Sequence, residues 1–231
     1  MLQAKNLTKE FNGRKALNDL NLSVDAGEVY CLLGQNGAGK TTTINIFLGF
    51  IDPSSGQALI NGNEVSSNRT EANKMIAYIP EVVQLYGNLS GVENLDFFSR
   101  LAGFKYNGTQ LKNYLSKSGL QEEAQSRHLS TYSKGMRQKV GIAIALAKKA
   151  DVIFMDEPTS GLDPKATAEF TAVCKEFVAE GKSIFMATHD IFNAVNVGTR
   201  IGIMKEGMLV HEFATRDINA SQLQQLYLET I

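Results

Sequence analysis

The sequence predicts an α/β fold, an open sheet of buried parallel strands with a block of helices inserted before its later strands. Three observations carry that expectation. The apolar runs Val29–Leu33, Ile76–Ile79, Asp151–Met155 and Ser183–Ala187 are continuous rather than alternating, the pattern of strands covered on both faces. Each ends in glycine-rich or polar residues, and in open α/β sheets ligands bind beyond the carboxyl ends of the strands. Between the second and third of these runs, from about residue 85 to about residue 150, the pattern changes to one of helices.

The opening of the chain reads as short strands. Leu20, Leu22 and Val24 alternate with polar residues, and Asp25-Ala26-Gly27-Glu28 is a turn ahead of the Val29–Leu33 strand. That strand runs into Gly34-Gln35-Asn36-Gly37-Ala38-Gly39-Lys40-Thr41, which fits the phosphate-loop pattern G-x-x-x-x-G-K-[ST] at every fixed position. Ile44, Phe47 and Leu48 follow at helical spacing, so strand, glycine loop and helix come in the order that phosphate binding needs. Glycines let successive backbone N–H groups point inward at phosphate oxygens, and the helix N-terminus adds partial positive charge. The expected nucleotide contacts are Gln35, Asn36, Gly37, Ala38, Gly39, Lys40, Thr41 and Thr42. Lys40 reaches the β- and γ-phosphates, and Thr41 offers a hydroxyl to Mg²⁺. Upstream, Phe11 stands in the polar setting Lys9-Glu10-Phe11-Asn12-Gly13. It is a candidate to stack on an adenine base, the alternative being a side chain that caps the small sheet.

Beyond the loop helix, Asp52-Pro53-Ser54-Ser55-Gly56 is a turn cluster and Gln57–Ile60 a short strand. Pro80 halts the Ile76–Ile79 strand and leaves Glu81 at its carboxyl end. Ser90-Gly91-Val92-Glu93 fits a capping box, with Leu95, Phe98, Leu101 and Ala102 as the apolar face of the helix behind it. Leu111, Tyr114, Leu115 and Leu120 suggest a second helix, and Val140–Ala147 is apolar nearly all round, hence buried. Ile201–Met204 and Met208–Val210 close the sheet around a Lys205-Glu206-Gly207 turn, and Leu223, Leu226 and Tyr227 mark a short surface helix.

Composition narrows the function classes. Among 231 residues, 43% are hydrophobic and 20% charged, which suffices for a sizeable core. A net charge of −1 gives no general attraction to nucleic acid or anionic lipid, and none is expected as a partner. Only Cys31 and Cys174 are present, which fits a reducing compartment, with Cys31 read as core. Nothing at the start, Met1-Leu2-Gln3-Ala4-Lys5-Asn6, has the form of a signal peptide, and no apolar run approaches the ~20 residues needed to cross a bilayer. A polypeptide of cytoplasmic type is expected, with any membrane role exercised through a partner.

Asp156 and Glu157 follow the third apolar run and precede Pro158. Asp156 is placed to hold Mg²⁺ directly or through water, and Glu157 to polarise a water for attack on the γ-phosphate. Phosphoryl transfer is largely positioning and charge stabilisation, so a lysine, a metal and a water-orienting group suffice.

The wider pattern resembles a known family. Thr131-Tyr132-Ser133-Lys134-Gly135-Met136-Arg137-Gln138-Lys139 comes shortly before Met155-Asp156-Glu157-Pro158-Thr159-Ser160-Gly161-Leu162-Asp163-Pro164, and His189 follows a further strand. That order resembles the nucleotide-binding subunit of an ATP-binding cassette transporter over essentially the whole chain, and the Tyr-Ser-Lys-Gly-Met version is similar to exporter subunits with a separate membrane polypeptide. The resemblance implies a P-loop NTPase core (RecA-like) with an N-terminal antiparallel β-subdomain and an inserted α-helical subdomain, within one ATPase domain over residues 1–231. It further implies ATP and Mg²⁺, an integral membrane permease, and a second ATP-binding subunit, in the simpler case an identical one, at the cytoplasmic side of the membrane. Ser133, Lys134 and Gly135 would then offer N–H groups to the γ-phosphate of the partner's ATP, and His189 would be the switch histidine that contacts γ-phosphate. Catalysis is thereby assigned to Glu157, His189 and Lys40, and the metal to Thr41, Glu81 and Asp156. Ser160, Gly161 and Asp163 resemble the loop that links the two sites.

One position departs from the family pattern. Glu81 stands where glutamine is usual, with Gln84 three residues late, so a negative charge is expected beside the triphosphate. Leu85-Tyr86-Gly87-Asn88 lies where the family docks its membrane partner, or is simply core. The alternatives are a soluble, non-transport ATPase of the same superfamily acting on ribosome or DNA, and a small-molecule kinase or GTPase. The first usually carries two cassettes or a coiled-coil insert, and no sustained heptads lie between Lys40 and Asp156.

Overall fold

The computed structural model describes all residues from Met1 to Ile231 and contains two sheets. In the first, β1 (Leu2–Phe11) and β2 (Arg14–Val24) pair antiparallel across the Asn12-Gly13 turn. On the other side of β1 lie β4 (Ser55–Ile60) and then β5 (Asn63–Glu64). The opening strands are thus longer than expected, and they are interrupted by bulges. Leu17, Leu20, Leu22 and Val24 are all buried although the first two are three residues apart, because Asp19 takes φ 54° and adds a residue to the strand. Asp tolerates that left-handed conformation better than most residues.

The second sheet holds β3 (Val29–Leu33), β6 (Ile76–Ile79), β7 (Val152–Asp156), β8 (Ser183–Thr188), β9 (Arg200–Lys205) and β10 (Met208–Ala214). Their order is β10-β9-β3-β8-β7-β6, parallel throughout except for the antiparallel edge strand β10. Register brings the strand ends level: Leu33 lies opposite Thr188, Asp156 opposite Ala187, and Ile79 opposite Met155.

Both faces of this sheet are covered, which is why its strands read as continuous apolar runs. Tyr30, Leu32, Phe154 and Phe185 pack toward α1 (Lys40–Phe47) and the antiparallel sheet. Tyr30 and Phe185 stack at a centroid distance of 5.7 Å, as do Phe47 and Phe154. Cys31, Leu33, Ile153, Met155, Ile184 and Met186 face the other way, toward α7 (Pro164–Ala179), α8 (Ile191–Val197) and α9 (Ala220–Thr230). Leu223 and Tyr227 of α9 are buried in this layer and form part of the core, whereas Leu228 is exposed.

The inserted helices are α3 (Gly91–Leu101), α4 (Gly108–Lys117), the single turn α5 (Glu122–Gln125) and α6 (Lys134–Lys148), with α2 (Arg69–Met75) ahead of β6. Leu95, Leu111, Leu115, Val140 and Ala143 form a cluster of their own, whereas Ile142 and Ala145 of α6 join the sheet's core. The capping box at Ser90 is formed in both directions: the Glu93 N–H donates to Ser90 Oγ at 3.2 Å, and the Ser90 N–H donates to Glu93 Oε2 at 2.7 Å. The expected apolar face of α3 is only half right. Leu95 is buried, but Leu101 is 74% exposed and Ala102 is exposed too. Helices α2, α7 and α8 have no counterpart among the sequence expectations. No helix is long and apolar enough to cross a membrane.

Candidate functional site

The glycine loop joins β3 to α1 at the level edge of the parallel sheet. Two of its glycines are required by space. A Cβ on Gly34 would fall 2.6 Å from the Met204 carbonyl oxygen, and one on Gly39, at φ 113°, would fall 2.6 Å from the Ala16 carbonyl oxygen. Lys40 opens α1 and is buried, its ammonium donating to the carbonyl oxygens of Gly34 at 2.6 Å and Gln35 at 3.3 Å. Burial lowers its pKa from the ordinary lysine value, and the charges of Glu157 and Asp156 work against that shift.

Asp156 ends β7, two strands from the glycine loop, and Thr41 Oγ1 donates to its Oδ2 at 3.1 Å. Burial raises the Asp156 carboxyl pKa. The Thr41 hydrogen bond and the Lys40 charge oppose the rise, whereas Glu157 and Glu81 add to it. No cluster of three or more His, Cys, Asp or Glu side chains is present that would hold a metal unaided. One hydroxyl and one carboxylate suit Mg²⁺, which takes few protein ligands and completes its shell with phosphate oxygens and water.

Glu157 follows directly and adopts φ 46°, with its N–H donating to the Ala187 carbonyl at 2.9 Å. The turn aims the carboxylate back along β8. Glu157 Oε2 accepts from Thr188 Oγ1 and from the His189 N–H, both at 3.3 Å, and lies 2.8 Å from His189 Nδ1. Oε1 accepts no hydrogen bond from the protein. The Glu157 side chain is 15% exposed and that of His189 67%, so the histidine covers a carboxylate that is itself mostly enclosed.

A cleft of about 840 Å³ runs along this edge. It is lined by every residue from Gln35 to Thr42, by Glu81, Asp156 and Glu157, and at one end by Phe11. The volume suits a nucleoside triphosphate. Phe11 is 46% exposed at the end of β1, with the Lys9 ammonium 4.9 Å from its ring centre. Sequence reasoning missed Arg14 and Lys15, which line the same end of the cleft, and Lys205 and Glu206 from the β9–β10 turn. Two consecutive cations straight after the Asn12-Gly13 turn were the signal for the first pair.

The remaining expected residues are arranged differently. Glu81 lines the cleft, but its carboxylate bonds to neither Thr41 nor Asp156: Oε1 accepts from Ser160 Oγ at 2.9 Å and lies 3.8 Å from Lys134 Nζ. Ser133, Lys134 and Gly135 begin α6 outside the cleft, with Ser133 Oγ accepting from the Met136 N–H at 3.3 Å. A second recess of about 420 Å³ opens beside the cleft, with Glu157, Ser160, Gly161, His189 and Phe192 among its walls. Glu157 thus borders both spaces.

Residues 17–160 match the family model described as ABC transporter. The bacitracin transport ATP-binding protein BcrA of Bacillus licheniformis is 35% identical over 213 residues, an alignment covering 92% of this chain and 69% of that protein. The probable multidrug ABC transporter ATP-binding protein YbhF of Escherichia coli (strain K12) is 33% identical over 221 residues, covering 95% of this chain. The chain spans only 38% of YbhF's length. Among solved structures, the dimeric post-hydrolysis state of the ATP-binding cassette MJ0796 bound to ADP and Pi superposes with a TM-score of 0.82 at 27% identity, over 94% of this chain and 99% of that one.

Proposed function

The chain belongs to the ABC transporter family, and from that membership we propose that it is an ATP-binding and ATP-hydrolysing subunit that powers a membrane permease. The observation that carries this reading is the meeting, at one sheet edge, of Lys40, the Thr41–Asp156 pair and Glu157 around a single cleft, with His189 paired to Glu157 from the adjoining recess. Lys40 and the N–H groups of the glycine loop bind the β- and γ-phosphates of ATP. Thr41 and Asp156 are the side chains that would hold Mg²⁺, which when bound neutralises phosphate charge. Glu157 orients the attacking water and takes its proton at Oε1, while His189 and Thr188 fix the carboxylate through Oε2. Phe11 and the neighbouring Arg14 and Lys15 receive the base end of the nucleotide.

Because Ser133, Lys134 and Gly135 lie outside the chain's own cleft, we assign them to the nucleotide of a facing second copy, so that ATP closes a homodimer. The dimeric MJ0796 cassette supports this geometry. Residues 1–231 then act as one ATPase domain whose inserted helices, about 85–150, form a subdomain that carries this stretch. Val82, Tyr86 and Phe97 are exposed apolar side chains at or beside Leu85–Asn88, and their exposure supports docking of the permease there. The subunit would sit peripherally at the cytoplasmic side of the membrane and work as part of an exporter.

The test is isolation of the tagged protein from gently solubilised membranes. A polytopic membrane protein recovered in stoichiometric amount is expected. Recovery with ribosomes or DNA instead would overturn the transporter assignment.

A further inference from the structure

Glu81 places a full negative charge where the family usually has glutamine, and the fold brings it beside Lys134. Ser160 Oγ donates to Glu81 Oε1 at 2.9 Å, and Lys134 Nζ stands 3.8 Å from the same oxygen. The Lys134 stem passes over Gly161, where a Cβ would lie 3.6 Å from Nζ and 3.8 Å from Cδ. Three segments meet at this point: the loop after β6, the turn after β7 and the first residue of α6. Glu81 is also a wall of the phosphate cleft, which already contains the carboxylates of Asp156 and Glu157. A third carboxylate facing a triphosphate opposes binding unless it is neutralised or held aside.

We propose that Lys134 and Ser160 form a clasp that holds the Glu81 carboxylate away from the phosphates and cancels its charge, making Lys134 a positioning residue for nucleotide binding in its own subunit. This rests on the ATP-binding reading above. With the clasp closed, Glu81 points at Ser160 and Lys134 rather than at Thr41 and Asp156. Without the Lys134 ammonium, the carboxylate is free to turn into the cleft and repel the triphosphate. The clasp also links the wall of the nucleotide cleft to the start of α6.

The experiment is a titration with the fluorescent analogue mant-ATP, at low and high KCl and with Mg²⁺ or EDTA, using wild type, Glu81→Gln, Lys134→Gln and the double variant. The expected result is that Lys134→Gln weakens binding about three- to ten-fold at low salt and less at high salt, as for a charge partly open to solvent. Adding Glu81→Gln to Lys134→Gln should recover most of that loss with or without Mg²⁺. The same Glu81→Gln change should improve binding at least three-fold more in the Lys134→Gln background than in wild type. Recovery in the double variant also shows that loss of Lys134 did not unfold the chain. An equal effect of Glu81→Gln in both backgrounds overturns the clasp, and so does a loss on Glu81→Gln confined to Mg²⁺-containing buffer, which would make Glu81 a metal ligand. Failure of the wild-type chain to bind mant-ATP overturns the ATP-binding reading itself and the clasp with it.

Discussion

Glu157, the residue proposed to orient the attacking water, has an unfavourable backbone. A left-handed φ of 46° is uncommon for glutamate, and the cost is offset by its N–H bond to Ala187 and the hydrogen bonds on Oε2. Asp156 bears strain of another kind. Its folded pKa is raised, chiefly by burial, so the protonated carboxyl is the form that folding favours. The penalty is absent below the ordinary aspartate value of 3.8, grows as pH rises through the folded pKa, and is fully present at neutral pH. Asp156→Asn should therefore abolish hydrolysis yet raise the melting temperature of the nucleotide-free protein at pH 7, by about 1–3 °C for a chain of this size. That gain should shrink as pH falls toward 4, and a lower melting temperature at pH 7 would contradict the burial argument. Neither the pairing of Glu157 with His189 nor that of Glu81 with Lys134 was legible in the sequence. The partners lie tens of residues apart, and only the strand register and the path of α6 bring them together.

Among the elements, the buried parallel strands were the most legible, because burial on both faces leaves an unbroken apolar run. Helix α7 was missed although its signal is complete: Asp163 as N-cap, Pro164 at the first position, and Phe170, Val173, Cys174 and Phe177 on the buried face. Helices α2 and α8 are about two turns each, too short for periodicity to declare them. Leu101 differs from expectation because an apolar residue at the right spacing can equally stand exposed on the surface. The capping box of α3 was read correctly and makes a clean prediction. Ser90→Ala should cost about 0.5–2 kcal/mol in urea unfolding. Nucleotide affinity should be unchanged, since Ser90 lies outside the cleft; a matching loss of affinity would show that α3 and the cleft are coupled.

For the whole molecule, the sheet acts as a two-sided core whose level edge gathers the chemistry. One face supports α1 and the glycine loop, the other supports α7, α8 and α9, and the chemical groups stand where β3, β6, β7 and β8 end. This arrangement leaves one requirement unmet within a single chain. Ser133–Gly135, proposed to bind the γ-phosphate, begin α6 outside their own cleft, and Glu157 borders a second open recess. Both features are accounted for by a second copy closing over the nucleotide. The measurement that tests this most directly compares wild type with Glu157→Gln by ATP turnover and sedimentation velocity with MgATP. Glu157→Gln should still bind ATP, turn over at least about 100-fold more slowly, and sediment as a nucleotide-dependent dimer. Near-normal turnover would remove Glu157 from its role, and a monomer that binds ATP without dimerising would contradict the closed-dimer mechanism.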